Sequence, residues 1–301
     1  MKRGAEMGQI PPAHKGRISP LTIGGGKRKK ACCGGHTSLP FLSTPYQRPL
    51  LALAVYDVIS PESNPFLKNI WGKASFPARL KKAESYAPDL LCLRFLSANP
   101  DLSIGTPVNS QELLEQAKKM SRLPFIVTGC GDSAVDEEFI PVLSQTMKGE
   151  NALMGVATEE NYRMLTAGCL ANGHSLIVET PDDLNIAKQL NILITELGLP
   201  VERIAMHHVT AALGYGLEYT YSIMEKCRLA ALEGDRLLSP VMLNFIGQET
   251  WKTKEAQEAE ELGINWEVTT AVAYLEAGAE ILVLDHPESV LRLHKVLDDV
   301  R

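Results

Sequence analysis

Residues 152–197 read ALMGVATEENYRMLTAGCLANGHSLIVETPDDLNIAKQLNILITEL, and they contain two strand–helix units in succession. The runs Ala152–Val156 and Ser175–Glu179 are short and apolar and include β-branched residues, which is typical of buried strands. Each run is followed by a longer stretch with helical periodicity, Glu159–Ala171 after the first and Pro181–Leu197 after the second. This pattern predicts an α/β fold with a parallel sheet.

The same alternation extends from residue 50 to the end of the chain and comprises eight units. The predicted strands are Leu50–Val58, Leu90–Phe95, Phe125–Thr128, Ala152–Val156, Ser175–Glu179, Arg203–His208, Val241–Ile246 and Glu280–Leu284. The predicted helices are Phe76–Tyr86, Ser110–Met120, Val135–Met147, Glu159–Ala171, Pro181–Leu197, Leu217–Leu232, Trp266–Ala277 and Pro287–Val300. Eight units over about 250 residues are typical of a (β/α)8 TIM barrel. A doubly wound open sheet carries a Gly-rich fingerprint after its first strand, and Val55–Pro61 lacks one, which favours the barrel.

Capping residues support several of these helices. Asn109 precedes the second helix, with Glu112 in its first turn, where a carboxylate interacts favourably with the helix dipole. Thr180-Pro181 predicts a cap followed by proline at the first helical position. Gly198 and Gly278 predict the ends of two further helices.

Charge is distributed unevenly along the chain. The protein has 30 basic and 36 acidic residues, and the first 50 residues contain nine of the basic residues but one acid. That segment therefore carries +8 and the remaining 251 residues carry −14, which disfavours a nucleic-acid partner. We expect residues 1–33 to be a basic, flexible extension that could also bind something anionic, and residues 34–301 to form the barrel.

The composition also bears on location and metal content. The chain shows no secretory signal, and no apolar run approaches the roughly 18 residues that a membrane span needs, which predicts a cytoplasmic protein without a membrane partner. Its six cysteines include no CxxC pair. We therefore expect free thiols, no structural metal site and no iron–sulfur cluster held by this chain alone.

The functional residues of a TIM barrel lie in the loops that follow the carboxyl ends of its strands. Gly129 and Gly131 predict a tight turn there that lets the backbone approach a ligand, although Cys130 between them could also be an exposed thiol. Leu213–Gly216 opens a helix whose N–H groups could bind an anionic group. Other polar residues at predicted strand ends are Asp57, Arg94, Thr158, Asn161, Glu179, Asn244 and Asp285.

Two adjacent histidines end the sixth predicted strand. Side chains alternate between the two faces of a strand, so at most one of His207 and His208 faces the barrel mouth. Either could serve as a metal ligand or proton relay, but the pattern favours one histidine at the rim and one buried against a helix. The sequence has no GxSxG motif and predicts no catalytic residue.

Longer stretches of the sequence resemble a known family, the small (delta) subunit of the corrinoid iron–sulfur protein in the CO dehydrogenase/acetyl-CoA synthase system. The resemblance extends from about residue 34 to the C-terminus and is most specific over Ala211–Glu225 and Arg228–Asp235. Shorter matching stretches are Gly34-Gly35, Leu39–Phe41, Arg48-Pro49, Gly129–Asp132, Gly149–Asn151, Glu160–Tyr162 and Leu184–Asn191.

The resemblance implies a TIM barrel in a heterodimer with a large subunit that carries an iron–sulfur cluster and a cobalamin domain. In that family the corrinoid lies between this domain and the mouth of the small barrel. A separate methyltransferase supplies a methyl group from methyltetrahydrofolate or an archaeal pterin, and acetyl-CoA synthase receives it. This chain would then be a non-catalytic subunit in an anaerobe, where the protein supplies orientation and shielding and the cofactor supplies the chemistry.

Four loops at the predicted mouth are the expected corrinoid cap under this resemblance. Their residues are Gly129, Cys130, Gly131, Asp132, Thr158, Asn161, Thr180, Asn185, His207, Thr210, Leu213, Gly214, Tyr215 and Gly216. The chain departs from the family at His207–Thr210, where an Asp-Pro-Ser/Thr-like turn is expected, and in the lead-in Leu42–Tyr46, so a divergent paralogue remains an alternative. A second alternative is a stand-alone methyltetrahydrofolate-binding methyltransferase that holds the pterin with Asp57, Asn161, Asn244 and Asp285.

Overall fold

The computed structural model describes residues 14–38, 48–60, 63–101, 109–181 and 183–299. Within these ranges the strands are β1 (Leu21–Ile23), β2 (Ala31–Cys33), β3 (Leu50–Tyr56), β4 (Leu90–Arg94), β5 (Phe125–Thr128), β6 (Leu153–Ala157), β7 (Ser175–Thr180), β8 (Ile204–His208), β9 (Val241–Phe245) and β10 (Ile281–Leu284). The α-helices are α1 (Pro65–Trp71), α2 (Phe76–Glu84), α3 (Ser110–Met120), α4 (Ser133–Thr146), α5 (Tyr162–Asn172), α6 (Leu184–Glu196), α7 (Leu217–Glu233), α8 (Ile246–Thr250), α9 (Lys254–Glu258), α10 (Glu260–Glu276) and α11 (Pro287–Asp299).

Strands β3 to β10 form a closed parallel barrel in which each strand pairs with the next along the chain and β10 pairs with β3. All eight predicted strands are present, and their bounds differ from the predicted ones by at most two residues. The predicted (β/α)8 barrel is therefore confirmed. The carboxyl ends of the eight strands meet at one end of the barrel, which we call the mouth.

Alternation along each strand divides the core into two layers. In β3, Leu51, Leu53 and Val55 pack outward against the helices, whereas Ala52 and Ala54 point into the barrel. Small residues on β3 leave room in the interior for larger side chains from the other strands, as in other barrels of this size. Both layers are closely packed, so the mouth stands on a rigid scaffold.

The hairpin of β1 and β2 closes the opposite end of the barrel. Ile18, Leu21 and Ile23 are fully buried and join the interior cluster of the barrel. This corrects the expected boundary at residue 33, because residues 14–33 are packed against the barrel rather than forming part of a flexible extension. The physical reason is that these apolar side chains cover the open end of the strands, although they stand among basic residues in the sequence.

Most predicted helix signals are confirmed, and one is wrong. The Asn109 side chain accepts a hydrogen bond from the Glu112 N–H at 3.1 Å, as the cap predicted. Helix α6 begins at Leu184 instead of Pro181, because Asp183 provides the cap that Thr180 was expected to provide. The Thr180 hydroxyl lies 3.2 Å from a ring nitrogen of His208.

Three short helices at the mouth were not predicted. Helix α1 follows β3, and α8 and α9 follow β9. The Asn64 side chain caps α1 and donates hydrogen bonds to the carbonyls of Trp251 and Ala256, at 3.2 and 2.8 Å. These bonds link the segment before α1 to the α8–α9 segment across one side of the mouth.

Candidate functional site

Two cavities open at the mouth and share Arg94 and Gln248 in their walls. The smaller has a volume of about 260 Å³, and we call it the histidine cavity because His207 lines it. The larger has a volume of about 610 Å³, and we call it the tryptophan cavity because Trp71 and Trp251 line it. The site therefore has two chemically different halves.

The glycine-rich loop after β5 folds around a carboxylate of its own chain. Asp136 accepts hydrogen bonds from the Cys130 and Gly131 N–H groups at 3.0 and 2.9 Å. A Cβ atom on Gly129 would lie 1.9 Å from the Asp136 Oδ1 atom, so the close approach predicted here is to Asp136. Asp132 caps α4. Burial raises the pKa of Cys130 to about 11, so this thiol is protonated at neutral pH.

The loop after β6 contributes hydroxyl and amide groups to the histidine cavity. The Asn161 side chain accepts a hydrogen bond from the Thr158 N–H at 2.8 Å and donates one to the Ser133 carbonyl at 3.3 Å. The hydroxyl oxygens of Thr158 and Ser133 lie 3.1 Å apart, and all three residues line the cavity. Thr158 and Asn161 therefore belong to the mouth, as predicted.

His207 faces the histidine cavity, and its ring is held on three sides. The Nδ1 atom lies 3.2 Å from the Leu243 carbonyl, and the Nε2 atom lies 3.3 Å from a Glu179 carboxylate oxygen. The Phe245 ring packs edge-on at 4.8 Å between centroids. The hydrogen bond from His207 lowers the pKa of Glu179. Both ring nitrogens thus have partners within the chain.

His208 points away from the mouth, into the layer between barrel and helices. Its Nδ1 atom lies 3.2 Å from the Thr180 hydroxyl and its Nε2 atom 3.4 Å from the Cys227 Sγ atom. Burial lowers the pKa of His208 to about 4, so its ring is neutral at pH 7. One histidine thus lies at the rim and one is buried against a helix, as the strand pattern favoured. Thr180 contacts the buried histidine, His208.

The loop after β8 reaches the histidine cavity only at its start. Val209 and Thr210 line the cavity, and the Thr210 hydroxyl accepts a hydrogen bond from the Asn244 side chain at 3.3 Å. Leu213 is held away from the cavity by two hydrogen bonds. Its N–H donates to the Thr270 hydroxyl, and its carbonyl accepts from the Trp266 indole N–H.

Several predicted cap residues are not brought to either cavity wall. The Tyr215 hydroxyl donates to Glu255 at 2.9 Å, so the Gly214–Gly216 turn contacts α9. Asn185 is exposed in the first turn of α6. Of the predicted cap, the residues that line the two cavities are Cys130, Gly131, Thr158, Asn161, His207 and Thr210.

The tryptophan cavity contains residues that the sequence did not single out. Tyr56 donates a hydrogen bond to Asp285 at 2.7 Å, and the Trp71 indole donates to the Asp285 carbonyl at 3.1 Å. Arg94 donates to Gln248 at 2.6 Å. Arg94 and Asp285 could be recognised as polar residues at strand ends, but the other three carried no signal, since aromatic and amide residues there look like ordinary core or surface.

Burial raises the pKa values of several carboxyl groups beneath the mouth. Burial raises the pKa of Asp57 and Asp285, and it raises the pKa of Glu267 to about 8. Asp57 accepts hydrogen bonds from the Val58 and Leu96 N–H groups at 2.7 and 2.9 Å, so its carboxyl group holds the loops after β3 and β4. Asp285 is the carboxyl group that faces the tryptophan cavity.

The described ranges contain no metal-binding cluster and no membrane-spanning helix. Among these residues, no group of three or more His, Cys, Asp and Glu side chains is arranged to hold a metal ion. None of the helices in the same ranges is both long and apolar enough to cross a membrane.

Sequence comparisons identify a family. Residues 21–296 match the family model described as the CO dehydrogenase/acetyl-CoA synthase delta subunit. The acetyl-CoA decarbonylase/synthase complex subunit delta of Methanocaldococcus jannaschii is 25% identical over 97% of this chain and 76% of its own length. The subunit of that name from Methanosarcina mazei is 28% identical over 91% of this chain and 67% of its own length.

Solved structures with the same architecture include dihydropteroate synthases. The enzyme from Xanthomonas albilineans has a TM-score of 0.59 at 13% identity, covering 84% of this chain and 93% of its own. The enzyme from Coxiella burnetii has a TM-score of 0.60 at 12% identity, covering 92% of this chain and 97% of its own. At this identity the similarity establishes the barrel fold alone.

Proposed function

The chain belongs to the family of CO dehydrogenase/acetyl-CoA synthase delta subunits, and we propose that its barrel mouth covers a corrinoid held by a larger partner subunit. In this proposal the chain is a non-catalytic subunit of a methyl-transferring complex. A methyltransferase acting on methyltetrahydrofolate or a related pterin supplies the methyl group, and acetyl-CoA synthase receives it. When bound, the corrinoid supplies the cobalt that carries the methyl group.

The small volume of the two cavities at the mouth is the observation that carries the proposal. The two cavities hold about 260 and 610 Å³, so only the larger is within the size range of pockets for small organic ligands. A corrinoid is much larger than such a ligand, so it cannot enter either cavity and can only lie across the mouth. A cover of this kind excludes water from the bound cofactor.

The rim of the histidine cavity offers the groups that such a cover needs. The hydroxyls of Ser133 and Thr158 can hydrogen-bond to the amide groups at the edge of a corrinoid, and Val209 is 48% exposed beside them. His207 would contribute a ring surface rather than a metal ligand, because both of its nitrogens are engaged by Leu243 and Glu179.

The assignment of the iron–sulfur cluster follows from the cysteines. Of the six, Cys33, Cys92, Cys169 and Cys227 are buried, and they lie far apart in the sequence. In this proposal the cluster belongs to the larger subunit, and the two chains form a heterodimer.

The stand-alone pterin enzyme is the less favoured alternative. Two of the four residues it would use, Asp57 and Asn161, already accept hydrogen bonds from backbone N–H groups of the mouth loops. Titration of the isolated chain with methyltetrahydrofolate separates the two proposals, and micromolar binding would contradict the corrinoid role.

The direct test is corrinoid retention in the complex purified without oxygen. Val209→Glu places a charge at the rim, and Val142→Glu is its matched control, since Val142 is 45% exposed on the outer face of α4. We expect Val209→Glu to lower the cobalt content per complex at least fivefold and Val142→Glu to leave it unchanged. Equal cobalt content in both variants, with the partner still bound, would show that the mouth does not contact the cofactor.

A further inference from the structure

Arg94 stands at the centre of the mouth, between the two cavities. It is the last residue of β4 and is 8% exposed, so its guanidinium is largely removed from water. Its Nη1 atom donates to the Gln248 side-chain oxygen at 2.6 Å. Its Nε atom is buried and has no hydrogen-bond partner.

The Arg94 guanidinium has no direct carboxylate partner within the described part of the chain. No carboxylate oxygen there lies within 4.0 Å of its guanidinium nitrogens. The two nearby carboxylates have other partners, since Asp285 accepts from Tyr56 and Glu179 contacts His207. A buried charge is normally paired or bound to a ligand, because removing it from water is costly. The described chain meets this requirement only indirectly. The centroids of the Tyr56 and Phe245 rings lie 5.5 and 5.4 Å from the Arg94 Cζ atom, and Asp285 interacts with the charge from beyond 4.0 Å.

The tryptophan cavity beside Arg94 has walls suited to a flat organic molecule. Trp71, Trp251 and Tyr56 line it, together with the side chains of Leu67 and Leu96. Helix α1 and the α8–α9 segment enclose it, and the hydrogen bonds of Asn64 hold those two segments together. The cavity is therefore built from apolar and aromatic walls with two cations, the buried Arg94 and the exposed Lys252, of which Lys252 is already paired with Glu249 at 2.7 Å.

We propose that the tryptophan cavity binds a small planar organic anion, with Arg94 contacting its oxyanion and the aromatic side chains contacting its ring. The planar fork of a guanidinium matches a carboxylate. Asp285 lies in the same wall and disfavours a dianion, so a monocarboxylate fits better than a phosphate ester. This inference goes beyond the corrinoid role, since the cavity is too small for a corrinoid and the full chain can be tested without one.

Binding of benzoate by the full chain, followed by isothermal titration calorimetry and ligand-observed NMR, tests the proposal. Benzamide has the same shape without the charge, and phenyl phosphate carries a phosphate in place of the carboxylate. We expect benzoate to bind at least tenfold more tightly than benzamide and more tightly than phenyl phosphate. Benzoate binding weaker than about 10 mM, or equal binding of benzamide, overturns the proposal. Tighter binding of phenyl phosphate overturns the choice of a carboxylate.

Variants locate the binding in this cavity. Arg94→Gln should weaken benzoate binding at least tenfold, whereas Arg163→Gln, an exposed arginine that also lies over a tyrosine ring, should not change it. Gln248→Glu keeps Arg94 and places a carboxylate on its Nη1 atom, so it should compete with benzoate and weaken binding similarly without destabilising the fold. Unchanged binding in Gln248→Glu contradicts the role of Arg94 even if Arg94→Gln fails to fold.

Discussion

Two buried arginines lie at opposite ends of the barrel, and they differ in how their charge is neutralised. Arg228, at the closed end, donates from one nitrogen to both carboxylate oxygens of Glu280, at 2.7 and 2.8 Å. Arg94, at the mouth, has the neutral side chain of Gln248 as its hydrogen-bond acceptor. The chain places a carboxylate directly on the arginine at the closed end, whereas among the described residues no carboxylate oxygen lies within 4.0 Å of the arginine at the mouth, where we propose a ligand.

The surroundings of the two arginines follow the same division. At the closed end, Ile18, Leu21 and Ile23 fill the barrel. The mouth instead has two cavities and loops held by hydrogen bonds. This matches the usual arrangement of TIM barrels, in which the amino-terminal end contributes stability and the carboxyl-terminal end carries the functional site.

The largest effect should come from breaking the ion pair at the closed end. Glu280→Gln leaves the fully buried Arg228 guanidinium without its carboxylate, and we expect a loss of about 3 kcal/mol or more in the free energy of unfolding. Urea unfolding measures this loss, provided that the dependence of the unfolding free energy on urea concentration, the m value, is the same in both proteins. Glu202→Gln is the control, because Glu202 pairs with the exposed Arg236 and should cost under about 1 kcal/mol. Equal losses would mean that the closed end is not held by this pair.

The hairpin provides the second test of the closed end. Ile23→Ala removes a fully buried side chain from the barrel interior and should cost about 3 kcal/mol in the free energy of unfolding. Thr22→Ala, at the exposed neighbouring position, should cost under about 0.5 kcal/mol. If both variants unfold like the parent protein, the hairpin does not contribute to stability and the segment behaves as the flexible extension that its charge suggested.

The sequence was sufficient for the barrel because each strand–helix unit carries its own pattern. A buried parallel strand is a short apolar run, and the following helix has apolar residues at helical spacing, so the eight units can be recognised one at a time. The hairpin carried no such signal, since β1 and β2 have three residues each among lysines and glycines. Its burial depends on the open end of a barrel formed by distant residues.

The candidate site could be predicted only in part, for a similar reason. Thr158, Asn161 and His207 follow or end predicted strands and do line the histidine cavity, whereas Thr180 and His208 also stand at strand ends but are buried away from it. The tryptophan cavity depends on α1 and on the α8–α9 segment, which are too short for a periodic pattern, so its walls were missed. Sequence alone could not show that the Leu213–Gly216 turn packs against α9 and α10 and does not line the two cavities, since those contacts join residues distant in the chain.

The carboxyl groups beneath the mouth should make stability depend on pH. Burial raises the pKa of Glu267 from 4.5 to about 8, so between these values the folded chain retains a proton that the unfolded chain has lost. This contribution to stability therefore falls as pH rises. Relative to Glu267→Gln, which has no such proton, the protein should lose about 2 kcal/mol of unfolding free energy between pH 6 and 8.

Urea unfolding of both proteins at pH 6, 7 and 8 measures this difference. Glu261→Gln lies on the same helix with an exposed side chain whose pKa is lowered by Arg292, so it should not reproduce the effect. If the difference in unfolding free energy between the parent protein and Glu267→Gln does not change with pH, Glu267 is ionised in the folded state.

The smallest effect should be local opening of the mouth. Asn64→Ala removes the hydrogen bonds to the carbonyls of Trp251 and Ala256, and we expect a loss of about 1 kcal/mol. Because those bonds hold the α8–α9 segment, amide hydrogen exchange should accelerate about fivefold in Lys254–Glu258 and stay unchanged in the hairpin. Asn109→Ala is the matched control, since that asparagine caps its own helix without linking the two segments. Faster exchange in the hairpin as well would show that the two ends of the barrel open together, which the division between a stable closed end and an adaptable mouth does not allow.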